Sequence, residues 1–471
     1  MNVIQSLPRR HGLVRTTLAV ALALVAGVLP LRAQRAELER RIRRETFANG
    51  LEVIVVENHG VPLATVEADS RNGSFTQSPT YEGLSHLYEH MFFKGNASYP
   101  EPEQFVARAS ALGAVFNGTT NEEQVNYWLT VPSDSTMPAL ALLASALRTP
   151  LFRQDELERE RAVVIGEYDR AESNPFYALT TAMKRLLWGT AYSRKNPLGE
   201  RAVILRTTPA QMREIQRKYY VPNNMAVIVT GDVDPARIFA AAHRLFDDWP
   251  RGADPFVIDP IPPVPPLVRN RAVVVEQPVN AVGVEMQWQG PGAHADVAAT
   301  YAADVFSDVL RQPGSRFQRK LVDSGLWQSL QISYYTLNQV GPITIGGSVA
   351  PEKLRDAIAA LDRELLEVVK PGYITADAVN GVKQERIVGT MMSLERTSGF
   401  TQQLGFWWAV TGLDYFFSYV DMMAKQTPDD LRRYAARYIV GKPRVTGVIL
   451  SPETRRALKL TDVELEAGGA R

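Results

Sequence analysis

Residues Asp259 to Pro266 read DPIPPVPP, and no other stretch restricts the fold of this chain as much. Proline fixes φ and carries no amide donor, so the run forms neither a helix nor a central strand. It favours a stiff, extended polyproline path. The chain is thereby divided into two parts of similar size. Each part opens on strand-like text: Leu51 to Glu57 (LEVIVVE) in the first, Ala272 to Glu276 (AVVVE) and Val282 to Trp288 (VGVEMQW) in the second. Helical periodicity follows over Thr136 to Arg148, Asp155 to Arg170 and Thr208 to Tyr219. Asp234-Pro235, a cap followed by a first-turn proline, opens another helix that reaches about Phe246.

The two parts also resemble each other at an offset of about 220 residues. Val131-Pro132 answers to Val349-Ala350-Pro351, and Phe152-Arg153-Gln154-Asp155 answers to Ile374-Thr375-Ala376-Asp377, each pair opening a helix. Strand and helix alternate irregularly, and Gln124 to Thr130 (QVNYWLT) alternates polar with apolar residues. That pattern favours an α+β fold with largely antiparallel sheets over a doubly wound parallel sheet. The expected organisation is two similar domains, 45–258 and 270–460, joined by a linker at 259–269.

Composition narrows the chemistry. The chain has 471 residues, 45% hydrophobic and 22% charged, enough for packed cores and unlike collagen, coiled coil or a disordered polymer. Lys and Arg total 52 against 51 Asp and Glu, a net charge of +1, so no global basic field favours nucleic acid. Cysteine is absent, which removes disulfides, thiolate metal sites and thiol nucleophiles together. Any metal must be held by carboxylates and by the six histidines.

The first 33 residues read as an export signal. Arg9, Arg10 and Arg15 form a basic start, Thr16 to Leu29 is apolar, and Leu31-Arg32-Ala33 offers a small residue before a cut at Gln34. The apolar run is short of the roughly 20 residues a membrane span needs, and no later stretch is long enough. The expectation is a periplasmic protein with no stable membrane span once the signal is removed; a retained signal anchor is the alternative.

Within Gly83 to His90 the sequence contains the pattern H-x-x-E-H. In a helix, His86 and His90 are four apart and share a face, so both imidazoles reach one cation. Glu89 stands beside the second histidine, placed to handle the proton of a water without ligating. This is the H-E-x-x-H logic of zinc peptidases with the acid moved next to the other histidine. A catalytic zinc site takes three protein ligands and keeps one position open. The helix Asp155 to Arg170 offers Glu160 and Glu167 on one face, with Val163, Val164 and Ile165 expected to pack. His11, His59, His243 and His294 have no partner at ligand spacing and read as surface or capping residues.

The run Gly83 to Gly95 (GLSHLYEHMFFKG) resembles the pitrilysin/insulinase family of metallopeptidases, which carries this inverted zinc motif. In that family a glutamate seventy to eighty residues later is the third ligand, and another seven before it supports the site. Glu167 lies 77 residues after His90, with Glu160 seven earlier. Further segments carry the resemblance: Phe47 to Leu51 (FANGL) looks like the opening strand, Gly113 to Tyr127 the substrate-edge segment, and Tyr220 to Asp232 the run closing the first domain. The resemblance implies one zinc on His86, His90 and Glu167, Glu89 as general base, and Glu160 in support. It implies an extended peptide docked along Phe116, Asn117, Gly118 and Thr119, inside a chamber that admits unfolded peptides. The second-half positions answering to the motif read Phe306 to Leu310 (FSDVL), with Val382 and Gly389 in place of the two glutamates, so no metal is expected there.

One expected pair is missing. Active members of the family carry, in the second domain, an arginine and seven residues later a tyrosine that hold substrate near zinc. Aligning Ser315 to Ser333 on Phe317-Gln318 and Gly325-Leu326 puts Leu321 and Gln328 at those positions, with Arg319 and Trp327 nearby but differently faced. The sequence therefore points to the zinc-bearing subunit of a heterodimer, whose partner, a homologous chain lacking H-x-x-E-H, supplies the arginine and tyrosine. The alternatives are a self-sufficient monomer or homodimer with a different clamp, or a non-catalytic scaffold subunit.

Overall fold

The computed structural model describes residues 39–101, 103–393 and 397–467. Residues 44–471 form one unit, which carries everything discussed below except Ile42 and Arg43 at the start of the first strand. The expected signal at 1–33 lies outside the described residues. Among the described residues no helix is long and apolar enough to cross a membrane.

The first sheet contains β1 (Ile42–Thr46), which straddles the start of that unit, β2 (Glu52–Glu57), β3 (Leu63–Ser70), β4 (Val115–Thr120), β5 (Val125–Pro132) and β6 (Met225–Gly231), in the order β1-β2-β6-β3-β5-β4. The second contains β7 (Arg271–Glu276), β8 (Val282–Gln289), β9 (Ser329–Tyr334), β10 (Pro342–Val349) and β11 (Val445–Leu450), in the order β7-β11-β8-β10-β9. In each, one pair is parallel (β2 with β6, β7 with β11) and the succeeding pairs are antiparallel. Without β1, the two orders match strand for strand. The duplication read from the sequence is thus a duplication of topology, and residues 259–269 form neither helix nor strand.

The helices that matter here are α1 (Leu84–Phe92), α2 (Thr136–Arg148), α3 (Gln154–Ser173), α4 (Pro175–Trp188), α5 (Pro209–Tyr219), α6 (Val297–Arg311), α7 (Ala376–Ser393), α8 (Thr397–Val410) and α9 (Pro428–Tyr438). The repeat reaches their caps: α5 and α9 both start at a Thr-Pro whose threonine forms a reciprocal capping box, with Gln211 and with Asp430. One face of the first sheet (Val53, Val55, Ala64, Val66, Ala68, Tyr127, Leu129) is buried against Leu84, Leu87, Tyr88, Met91 and Phe92 of α1 and against α2. Each buried Val, Leu, Met or Phe side chain among them contributes about 1.5–3 kcal/mol on full burial. Two stacked ring pairs, Tyr88 on Tyr220 at 4.0 Å and Phe92 on Tyr127 at 3.7 Å, fix the rotation of α1.

The opposite face of that sheet carries a polar strip, with Thr65, Glu67, Asp69 and Asn126 buried beside the apolar Ile54 and Ile228, and its cover comes from the other half. Helix α8 lies on β3 and β6, with Thr230 and Thr401 hydroxyls hydrogen-bonded at 2.6 Å. Reciprocally, Leu179, Met183, Leu187 and Trp188 of α4 pack on Val445 and Ile449 of the second sheet. Gly447 allows this approach, since an added Cβ would lie 2.7 Å from Met183 Cγ. Each half lends a helix to the other, which is why two similar halves make one compact unit.

Two sequence expectations need correction. Phe47 to Leu51 is not a strand: Phe47 N–H donates to Leu51 O at 2.9 Å and Gly50 sits at φ +93°, so the run is the turn between β1 and β2. Val163 does not pack either. It is 47% exposed, while Val164 on the neighbouring helix face is buried.

Candidate metal centre

Helix α1 begins at Gly83, whose φ of +91° suits glycine. A Cβ there would lie 2.8 Å from Gly199 Cα, so the chain crosses itself tightly at this point. Gln77 Oε1 accepts from the Gly83 N–H at 2.9 Å and from that of Ser85 at 3.4 Å, which satisfies amides that the helix leaves unpaired. With the start pinned and the apolar face buried, His86 and His90 emerge on the remaining face, their rings 4.9 Å apart. They are not solvent-facing: their side chains are 16% and 15% exposed.

Helix α3 brings Glu167 to them. Its Oε2 lies 3.4 Å from His86 Nε2 and 3.7 Å from His90 Nε2. Two ligand atoms on a tetrahedral zinc, each about 2.0–2.1 Å from the ion, stand about 3.3 Å apart. Among the described residues this is the one trio of His and acid groups whose ligand atoms converge, all within 4.8 Å of one another. The residues fit a zinc ion. Glu160, two turns earlier on the same face, takes the other nitrogen of His90: its Oε2 is 3.2 Å from His90 Nδ1, which leaves Nε2 for the metal. Lys94 Nζ lies 2.7 Å from Glu160 Oε1.

Electrostatics agree with a cation site. Burial, then the charge of His90, lowers His86 to a pKa of about 4, so it stays neutral and able to ligate near neutral pH. Burial also lowers His90, but the hydrogen bond to Glu160 and the charges of Glu167, Glu89 and Glu160 outweigh it, and the net shift is upward. For Glu160 burial raises the pKa, and its bonds to His90 and Lys94 prevail, holding it below the usual carboxylate range. With neutral imidazoles, the three carboxylates and one ammonium leave two negative charges for a dication to neutralise. Glu89 is 9% exposed, and burial raises its pKa against the bond from Thr120. Thr120 Oγ1 donates to Glu89 Oε2 at 2.6 Å.

Strand β4 ends the first sheet and pairs with β5 alone. Of the four residues expected to line a peptide, Phe116 and Gly118 turn toward α1 and the core, while Asn117 and Thr119 are exposed. Gly118 is backed by α1, since a Cβ there would lie 2.7 Å from Glu89 Cγ.

In the second half the equivalent helices α6 and α7 are joined by an ion-pair network, and no metal trio is found there among the described residues. Arg386 Nε lies 2.6 Å from Asp308 Oδ2 and its Nη1 lies 3.6 Å from Asp304 Oδ2, while Val382 is buried and Gly389 has open space beside it. Leu321 is in the core and Gln328 is exposed. Trp327 is buried and donates to Ala357 O at 3.1 Å; Arg319 turns back onto Gly314 O. The other described histidines are occupied elsewhere or exposed: His59 lies between Glu57 and Asp232, His243 between Glu45 and Asp247, and His294 is at the surface. The sequence reading missed Lys94, Thr120 and the Arg386 network. Lys94 carried a signal, standing four residues after His90, whereas Thr120 required the alternation of β4 to be tied to α1.

Comparison with known proteins agrees with this geometry. The family model for insulinase (peptidase family M16) matches residues 52–198, and that for the peptidase M16 inactive domain matches 206–386. A protein of Streptomyces coelicolor described as an uncharacterized zinc protease is 22% identical over 89% of this chain and 92% of its own. The Bacillus subtilis zinc protease YmxG, likewise described as uncharacterized, is 23% identical over 76% and 85%. The crystal structure of a protease from Helicobacter pylori superposes with a TM-score of 0.78 at 21% identity, covering 87% of this chain and 99% of that one. The periplasmic protease PqqL of Escherichia coli superposes with a TM-score of 0.75 at 16% identity, covering 91% of this chain and 49% of that one. From the convergent trio, the doubled topology and the two family matches, the chain belongs to the pitrilysin/insulinase family of zinc metallopeptidases, peptidase family M16.

Proposed function

We propose that this chain is an exported zinc metalloendopeptidase that cleaves unfolded peptides, working as the catalytic subunit of a heterodimer. The observation that carries the reading is the meeting of His86, His90 and Glu167 around one point, with the buried carboxylate of Glu89 on the same helix. Zinc held there supplies Lewis acidity toward water and the scissile carbonyl. Glu89 accepts a proton from the attacking water and passes it to the leaving amine. Glu160 fixes the His90 ring through Nδ1, and Lys94 holds Glu160. The free edge of β4 offers main-chain donors and acceptors to an extended peptide, with Asn117 and Thr119 beside its alternate side chains.

The buried Leu321 and the exposed Gln328 support the heterodimer, because neither replaces an arginine and a phenol as donors to a developing oxyanion. The chain spans about half the length of PqqL.

The test is hydrolysis of a quenched peptide by the purified chain, alone and with the homologous subunit from its host, with and without chelator. We expect zinc binding with weak hydrolysis alone, and strong chelator-sensitive hydrolysis with the partner. Full activity of the single chain would favour the self-sufficient enzyme, and zinc-free, inactive protein in every combination would favour the scaffold. N-terminal sequencing of the host's envelope fraction should start at Gln34; an intact Met1 would mean a retained anchor.

A further inference from the structure

Glu89 is held from below by a strand, and the strand is β4. Gly118 and Thr120 are two apart on it, so both turn to the same side, toward α1. Gly118 lets the Glu89 methylenes lie against the strand, since any Cβ would fall 2.7 Å from Cγ and 3.1 Å from Oε1. Thr120 Oγ1 donates to Oε2 at 2.6 Å. Oε1 accepts no hydrogen bond from the described residues, so it is the oxygen left for a reacting water. A glutamate has three rotatable side-chain bonds, and without these two contacts its carboxylate would sample several rotamers.

We infer that Thr120 is a positioning residue for the reaction, acting through Glu89, with Gly118 making the seat into which that carboxylate fits. This rests on the peptidase reading above. It adds that one strand sets two things: its outer edge fixes the register of the peptide, and its α1-facing side chains fix the base. The distance between the base and the scissile bond is then set by the geometry of a single strand, without relying on loop closure.

The test uses the zinc-loaded full chain purified from its host, so that any natural partner is retained, with Thr120→Val and Thr120→Ser. Valine keeps the shape and removes the donor; serine keeps the donor. A hydrogen bond to a charged group is worth roughly tenfold to hundredfold in rate when it is lost. We expect Thr120→Val to lower kcat by about that factor with KM within about twofold, and Thr120→Ser to restore most of kcat. Zinc content should not change. A second readout needs no activity: in metal-free protein, Thr120→Val should lower the melting temperature in the wild-type background and leave it unchanged once Glu89 is Ala. Equal drops in both backgrounds, or a wild-type kcat in Thr120→Val, overturn the inference. An active wild type with an unaffected valine variant overturns it alone, whereas a wild type without chelator-sensitive activity overturns it together with the peptidase reading.

Discussion

Replacing Glu160 by Gln removes one negative charge and changes almost no volume. The carboxylate serves two groups at once: Oε2 accepts from His90 Nδ1 at 3.2 Å, and Oε1 meets Lys94 Nζ at 2.7 Å. A glutamine has one acceptor oxygen, so its NH2 must face either the imidazole N–H or the ammonium, both donors. Keeping the His90 bond sets NH2 against Lys94, whose side chain is 26% exposed and can turn to water. The tautomer that presents Nε2 survives in that arrangement, but the imidazole loses the basicity a carboxylate confers. Removing such a partner typically costs tenfold to a hundredfold in metal affinity. The escape of Lys94 places the effect near the lower end, about tenfold or about 1.4 kcal/mol. Competition against a zinc-chelating dye measures it directly. A Glu160→Gln affinity within threefold of wild type would refute the claim that Glu160 supports the metal through His90.

Two further predictions concern the polar face beneath α8. Burial pushes Asp69 up to about 7, and burial with the charge of Asp69 raises Glu67 well above its ordinary value; Gln124 and Asn126 donate to them, α8 brings no charged group within its described residues, and Arg71 next along β3 is paired with Glu52. Folded-state pKa values above the unfolded ones mean the native state binds more protons. Their contribution is fully present below about pH 4 and lost as pH rises through about 7. The thermal midpoint should therefore fall as pH rises from about 4 to about 7, and Asp69→Asn should flatten that fall in a calorimetric series. Gly405→Ala should destabilise by about 1–3 kcal/mol in urea unfolding, because its Cβ would lie 2.6 Å from Asp69 Cγ in an already full layer.

Much of this was legible from residue order. His86, Glu89 and His90 share a helix, so their relation is local, and Glu160 and Glu167 share another, so the three-ligand set followed once the resemblance joined the two. The doubled topology was visible because residues that open helices recur at an offset of about 220, as Val131-Pro132 and Val349-Ala350-Pro351 do, and the structure adds the matching caps Thr208-Pro209 and Thr427-Pro428. What stayed hidden depends on contacts between distant segments. Phe47 to Leu51 carries strand-like ends, but Gly50 at φ +93° bends it into a turn. Val163 is as apolar as Val164, and only the rotation of α3 against α1 decides that one is exposed and the other buried. The exchange of α4 and α8 between halves has no local signature, because each helix packs on strands of the other half that lie more than eighty residues away in sequence. Thr120 and Gly118 sit in the stretch expected to meet substrate, and their contact with Glu89 appears only once β4 lies under α1.

The proposed chemistry gives two glutamates on two helices different work, Glu167 holding metal and Glu89 moving a proton. Elemental analysis of Glu167→Gln and Glu89→Gln, run beside the quenched-peptide assay, separates the two in one experiment. Glu167→Gln should lose most of its zinc, and Glu89→Gln should keep about one zinc per chain while losing hydrolysis. A zinc-free Glu89→Gln, or a Glu167→Gln that keeps its full metal content, would contradict the assignment of the centre.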